Sequence, residues 1–301
     1  MLPMSKNPNT HESASPAATP HNSSHTFDTR RRQILQLRAA RRRARLHEPQ
    51  FILQRIAQDM ADRLLMINRR FNKALLIAPD GFRPLLERNL DKEKVPLSLI
   101  NSPLDQLSRT IKDTKDFDLI LLCLAHHAEN NPTGLITALK SRMSDDGHIM
   151  TVCLGADTFY DLRRTFYEVD QNYFGGIIPR IHPMIGLQAN VQLLAHCGFN
   201  VTVGDRDRLN VSYKKLSTLI NDLRDIGETY SLAAKATLHT TRQYWRQAEA
   251  ALIADTDHID IIYDILWATG WTPHDSQQRP LKPGSAKVHL REAFKPQKNK
   301  A

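Results

Sequence analysis

At 301 residues, 41% hydrophobic and 24% charged, the chain is long enough to bury one large core or two modest ones, which excludes a disordered protein, a collagen and a small disulfide scaffold. Its longest apolar run, Leu119–Ala125, falls far short of the roughly 20 residues that span a bilayer, and the N-terminus lacks the apolar core of a secretory signal, so a cytoplasmic chain is expected. The formal charge of +9 resembles a nucleic-acid signature until it is divided: residues 1–50 carry nine basic against three acidic side chains, leaving only +3 for the other 251.

Residues 1–26 are rich in Ser, Pro, Asn, Thr and His and read as a disordered tail, as do residues 291–301. From Phe27 to residue 70 two helices are expected. The first is crowded by Arg30, Arg31, Arg32, Arg38, Arg41, Arg42, Arg43 and Arg45, with Leu35, Ala39 and Leu46 on one face. It reads either as an arm for phosphates or anionic lipid or as a docked helix with a solvated basic side. The absence of interleaved aromatic rings favours docking and ranks nucleic acid last among partners.

The second helix spans Phe51–Ile67, with Ile52, Ile56, Met60, Leu64 and Ile67 spaced by three or four. Strand-length and helix-length signals then alternate. Ala74–Ala78, Leu97–Ile100, Phe117–Leu124 and His148–Leu154 read as strands, Leu135–Met143 as a helix, and Asp145-Asp146-Gly147 as a turn. The strands are continuous apolar runs, as a parallel sheet covered on both faces requires. Later come helices near Val191–His196, Leu216–Ile226 and Thr240–Ile253, strands at Asn200–Val203 and Leu209–Tyr213, and a β-rich stretch Ile259–Trp267. Cys123, Cys153 and Cys197 lie in separate apolar segments and read as buried free thiols.

Four ordered segments carry a resemblance. Residues 157–163 (DTFYDLR), 175–183 (GGIIPRIHP), 222–229 (DLRDIGET) and 270–278 (GWTPHDSQQ) resemble successive blocks of the class I S-adenosylmethionine-dependent methyltransferases. Within that superfamily the chain most resembles bacterial relatives of the methyltransferase-like assembly factors of respiratory complex I, with more distant similarity to the biotin-pathway malonyl-carrier methyltransferases. The resemblance covers roughly Phe27 to Leu290. It implies a Rossmann-like class I methyltransferase fold, α/β with a doubly wound, mostly parallel sheet and helical additions. The domain is expected over residues 71–290, with a helical lid and insertion over about 157–254.

In that fold the cofactor crosses the carboxyl ends of the first strands, where a glycine-rich turn lets the backbone approach it. Aligned on Phe71 and Ala74-Leu75, the family's LDLGCGRG falls on Leu75–Phe82: its three glycines become Ala78, Asp80 and Phe82, Gly81 stands between the last two, and the acidic residue inside the strand becomes Leu76. Asp80 sets a carboxylate against the carboxylate end of the cofactor and Phe82 fills ligand volume, so both changes oppose S-adenosyl-L-methionine. The resemblance nevertheless maps a cofactor position onto Ala78, Asp80, Gly81, Asn101 as ribose partner, and His127. His127 and Asn130 match the family's loop after the fourth strand. His126-His127 with Glu129 shows no third ligand, and no metal is expected there.

Tyr160, Arg163, Arg180 and His182 belong to the segment that covers the substrate side in this family, and His274 and Gln277 to a dense polar loop that either recognises a partner or fixes the last strand. Gly175-Gly176 followed by Pro179 and Pro183 reads as a hinged lid or as a plain loop. The resemblance implies a methyltransferase-like protein that modifies or helps assemble a protein partner such as a complex I subunit. Arginine hydroxylation, rather than methylation, is known in the family. The alternative is a catalytically inactive methyltransferase fold, a pseudoenzyme used as a binding or assembly module.

Overall fold

The computed structural model describes residues 25–46, 50–91, 93, 95, 114–233, 240–253 and 257–278. Asp28 starts the first helix by accepting a hydrogen bond from Arg31 N (2.9 Å), and α1 covers Thr29–Arg43, with Arg41, Arg42 and Arg43 in the last turn where cations complement the helix dipole. Gln50 caps α2 (Phe51–Met66) through Leu53 N at 3.0 Å. The expected stripe is buried: Ile52, Ile56, Met60 and Leu64 are at most 1% exposed.

β1 (Ala74–Ile77) leads into a short helix α3 (Phe82–Glu87), and β2 (Phe117–Cys123) into a 3-10 turn at His126–Ala128. The expected strand Leu97–Ile100 and the ribose partner Asn101 lie outside the described residues. Helix α4 (Pro132–Lys140) begins earlier than its apolar spacing indicates, because Asn131 accepts from Gly134 N and Pro132 occupies the first turn. Met143 belongs to β3 (Met143–Leu154) instead of the helix. The turn expected at 145–147 is a register shift inside that strand, with Asp146 at φ 54°.

Helices α5 (Tyr160–Phe174) and α6 (Leu187–His196) precede β4 (Asn200–Tyr213), followed by α7 (Leu216–Ile226), α8 (Arg242–Leu252) and β5 (Ile259–Trp271). The two short strands expected in 200–213 form a single edge strand. The charged run Asp205-Arg206-Asp207-Arg208 hid it. These side chains find partners across the fold, Asp205 with Arg63 (2.5 Å), Asp207 with Arg55 (3.0 Å) and Arg206 with Asp264 (3.2 Å). Charge on an edge strand also discourages pairing with a further chain.

The strand order is β1-β2-β3-β5-β4. β1, β2 and β3 pair in parallel, and β5 runs antiparallel to both β3 and β4, so it alone opposes the common direction among the described strands. Alternation through the strands feeds two cores. Leu76, Leu119, Leu121 and Val152 pack with α2, α3, α5, α7 and α8, whereas Leu75, Ile77, Ile120, Leu122 and Ile149 pack with α4 and α6. Each such side chain contributes about 1.5–3 kcal/mol by leaving water. The fold is the α/β, doubly wound, mostly parallel, Rossmann-like arrangement that the strand pattern and the resemblance indicate.

The basic helix α1 is docked. It lies along α7, where Arg42 Nε meets Asp225 Oδ1 at 2.5 Å. Gly227 ends α7 with φ 81°, a left-handed conformation that turns the chain sharply beneath α1 towards Glu228. Cys123, Cys153 and Cys197 are buried free thiols.

Candidate functional site at the carboxyl ends of the strands

The turn after β1 is Ala78-Pro79-Asp80-Gly81, closed by Phe82 N donating to Pro79 O at 3.0 Å. Gly81 takes φ 82°, and Phe82 is fully buried in the core. Arg43 at the end of α1 reaches over this turn, donating from Nε and Nη2 to Asp80 O at 3.1 and 2.8 Å and from Nη1 to Asp225 O at 2.5 Å. Burial lowers the Arg43 pKa, opposed by the carboxylates of Asp80 and Asp225.

Beside it, β2 is followed by Leu124, whose φ of 49° turns the chain out of the sheet. Its carbonyl accepts from Arg32 Nη2 at 3.0 Å, and the same nitrogen lies 3.4 Å from Glu228 Oε1. The following 3-10 turn sends two adjacent histidines apart. His126 Nε2 meets Asn190 Oδ1 at 2.9 Å, whereas His127 Nε2 meets Glu228 Oε2 at 3.0 Å. Burial, then the neighbouring His127, push His126 down to about 4. Burial also lowers His127, against the opposite pull of Glu228. Burial alone would raise Glu228, but Arg32 and His127 hold it well below the usual carboxylate range. The site therefore sets a carboxylate against the His127 ring, whose charged form burial disfavours.

His182 completes the group from the 175–183 segment. Its ring stacks on His127 (centroids 6.1 Å apart) and meets Phe27 edge-on, and its Nε2 lies 3.6 Å from Glu228 Oε2. Asn130 clamps Phe27 by accepting from its N and donating to its O, both at 2.9 Å, so the start of α1 is tied to the loop that carries His127.

An open cleft of about 1290 Å³ adjoins this group, with His182, Glu228 and Arg180 in its wall. Arg31, Arg38 and Arg41 of α1, and Arg45 just past its end, line the rim. Arg180 is anchored: it donates to both Asp170 oxygens, and Tyr244 Oη donates to Asp170 at 2.8 Å.

The structure thus brings His127 and His182 together, sets Arg180 in the same cleft wall as His182, and links the turn at Asp80 to them through Arg43 of α1. Tyr160, which is 61% exposed, and Arg163 do not line the cleft. The nearby carboxylates Asp161 and Asp170 pair with Arg164 and Arg180. His274 and Gln277 lie apart from this group, beside the first residues of β3. There Gln277 donates to Asp146 (2.8 Å) and Thr272 O (2.7 Å) and accepts from Asn200 (3.0 Å), which ties the end of β5 to β3 and β4. His274 contacts Ser276 Oγ at 2.7 Å. Arg32 and Glu228 carry the centre without having been singled out from the sequence. Glu228 stood within the 222–229 block, but nothing local signals that it meets Arg32.

No protein-family model matches the chain. It is 27% identical over 206 residues to the mitochondrial arginine-hydroxylase NDUFAF5 of Dictyostelium discoideum, covering 67% of this chain and 47% of that protein. Against human NDUFAF5 it is 26% identical over 283 residues, covering 84% and 79%. A malonyl-[acyl-carrier protein] O-methyltransferase of Laribacter hongkongensis is 24% identical over 189 residues, covering 62% and 61%. The chain is a homologue of both groups. It spans about half the length of the Dictyostelium and Danio rerio NDUFAF5 proteins, 47% and 57%. Among solved structures, the N-methyltransferase NodS of Bradyrhizobium japonicum with S-adenosyl-L-homocysteine is 12% identical, covering 81% of this chain and 99% of that one at a TM-score of 0.38.

The methyltransferase homologues imply S-adenosyl-L-methionine, and the described residues do not fit it. Phe82, at the third glycine position, turns into the core, while the backbone oxygen that the turn offers is taken by Arg43 and Arg32 occupies the carbonyl of Leu124 just past β2. Those are the surfaces on which the nucleoside would lie.

Proposed function

We propose that the chain is a methyltransferase-like protein that modifies, or helps to assemble, a protein partner, and that this partner is a subunit of respiratory complex I. The observation that carries the reading is the similarity to the NDUFAF5 arginine-hydroxylases, which runs over 84% of the chain in the human case. The open cleft supports it, because its size and arginine rim suit a segment of another protein better than an enclosed small molecule. Among the described residues no helix is long and apolar enough to cross a membrane, so the chain meets its partner from outside the bilayer core. Its compartment is the one in which complex I is built; the NDUFAF5 relatives are mitochondrial by name.

Deleting the gene and following complex I on native gels tests this, with mass spectrometry of arginine residues in its subunits. Loss of assembled complex, restored by the intact chain, is the expected result; normal assembly refutes the reading. The second reading, an inactive fold that binds and assembles, is favoured by the covered turn after β1. It predicts failed assembly with no arginine modification missing.

A further inference from the structure

The local sequence around His127 offers no third ligand, yet the fold supplies two from distant segments. His127, His182 and Glu228 are all buried, and one ligand atom from each lies within 4.8 Å of the others. The two histidine–carboxylate separations, 3.0 and 3.6 Å, lie at the lower end of and just beyond the roughly 3.0–3.5 Å between donors that share one ion at about 2.1 Å, so a small side-chain shift closes the set. We propose that His127 Nε2, His182 Nε2 and Glu228 Oε2 form a binding site for one divalent first-row transition metal ion, with its remaining coordination positions open to the cleft. The site does not depend on the functional reading above.

Three features favour an ion over a plain polar network. His182 is 3% exposed, and its Nδ1 lies 3.2 Å from Pro183 O, a contact that needs the ring proton on Nδ1. Its Nε2 has no partner within hydrogen-bond distance and faces a carboxylate oxygen at 3.6 Å, an arrangement that a cation between them resolves. An imidazole that ligates a metal characteristically donates its other nitrogen to a backbone carbonyl in this way.

Glu228 is also divided by function. Arg32 sits at Oε1, orienting the carboxylate, while both imidazoles face Oε2. Two imidazoles and one carboxylate on one side of an ion form the ligand set of metal sites that keep positions for water or substrate. His182 and Glu228 both belong to the cleft wall, so an ion there meets whatever the cleft holds. Nitrogen-rich ligation selects zinc, iron, cobalt or nickel over magnesium and calcium.

The test uses the full chain, stripped with a chelator and titrated with Co²⁺ while the visible absorption of the bound ion is followed, with metal content measured by mass spectrometry. One ion per chain is expected. Glu228→Gln and His182→Phe are expected to weaken binding by more than the roughly 10–100-fold typical of outer-shell partners. His182→Phe keeps a ring between His127 and Phe27, so its folding, checked by circular dichroism, separates ligand loss from collapse. His258→Ala removes an exposed histidine beside Asp257 and Asp260 and leaves binding unchanged. No stoichiometric binding by the intact chain overturns the proposal, as does binding that survives in folded His182→Phe or disappears in His258→Ala.

Discussion

Arg32 Nη2 lies 3.4 Å from Glu228 Oε1, a pair separated by 196 positions in the chain and buried, with 10% and 0% of their side chains exposed. It fastens the N-terminal helix to the loop beyond α7 and holds the carboxylate that both imidazoles face. Breaking a buried pair by removing one member leaves an uncompensated charge. Arg32→Met is therefore expected to destabilise the fold by about 3 kcal/mol in urea unfolding. The double variant Arg32→Met/Glu228→Gln should cost less than the two single losses added together. Simple additivity would show that the two side chains do not act on each other.

Arg43 covers the turn where a nucleoside would approach the backbone. Titration with S-adenosyl-L-methionine or S-adenosyl-L-homocysteine to millimolar concentration should leave the melting temperature unmoved. A ligand at a hundred times its Kd would add about 2.7 kcal/mol, or several degrees. A saturable rise would mean that Arg43 leaves Asp80 and the turn opens.

His148 is held between Phe71 and Trp271, its ring centroid 4.3 Å from that of the indole, and neither ring nitrogen finds a hydrogen-bond partner among the described residues. Burial, then Arg69, lower it to about 3. The ring is neutral in the fold and takes a proton near 6.5 once unfolded. The stability that follows is complete above pH 6.5 and is lost as the pH falls towards 3, at about 1 kcal/mol per pH unit in the middle of that window. His148→Phe keeps the ring stacking and should flatten this part of the pH profile, read from urea midpoints between pH 4 and 7. An unchanged slope would show that His148 is already protonated in the fold.

Asp170 is fully buried and receives Arg180, Tyr244 Oη and Ile178 N. It anchors the segment that carries His182. Tyr244→Phe should cost about 1.5–3 kcal/mol, the worth of a hydrogen bond to a charged acceptor. Asp170→Ala should release the 175–182 segment, seen as faster limited proteolysis there. Protection equal to the native chain would show that other contacts hold the segment.

The continuous apolar strands 74–77, 117–123 and 148–154 were legible in the sequence because burial on both faces leaves only one kind of residue. Strand β4 was legible only at its two ends, since the charged run between them is satisfied by Arg55, Arg63 and Asp264, partners that no local pattern reveals. The docked state of α1 followed from the missing aromatics, but the destinations of Arg32 and Arg43 did not. His182 and Glu228 stood inside recognisable blocks, whereas their meeting with His127 depends on three loops converging at one end of the sheet. Spacing along a chain reports on helices and strands; it says nothing about which loops share a wall.

The clamp of Phe27 by Asn130, the pairing of Asp28 N with Ser231 O and the reach of Arg32 to Glu228 place the first helix and the far side of the fold in one closure. During synthesis, α1 leaves the ribosome long before its counterparts exist. At 5–20 residues per second, Arg32 waits roughly 10–40 s for Glu228 to be made. Throughout that interval the face of α1 that Arg32 and Ala39 bury in the finished fold has no counterpart, so the centre closes only after residue 228 has been made.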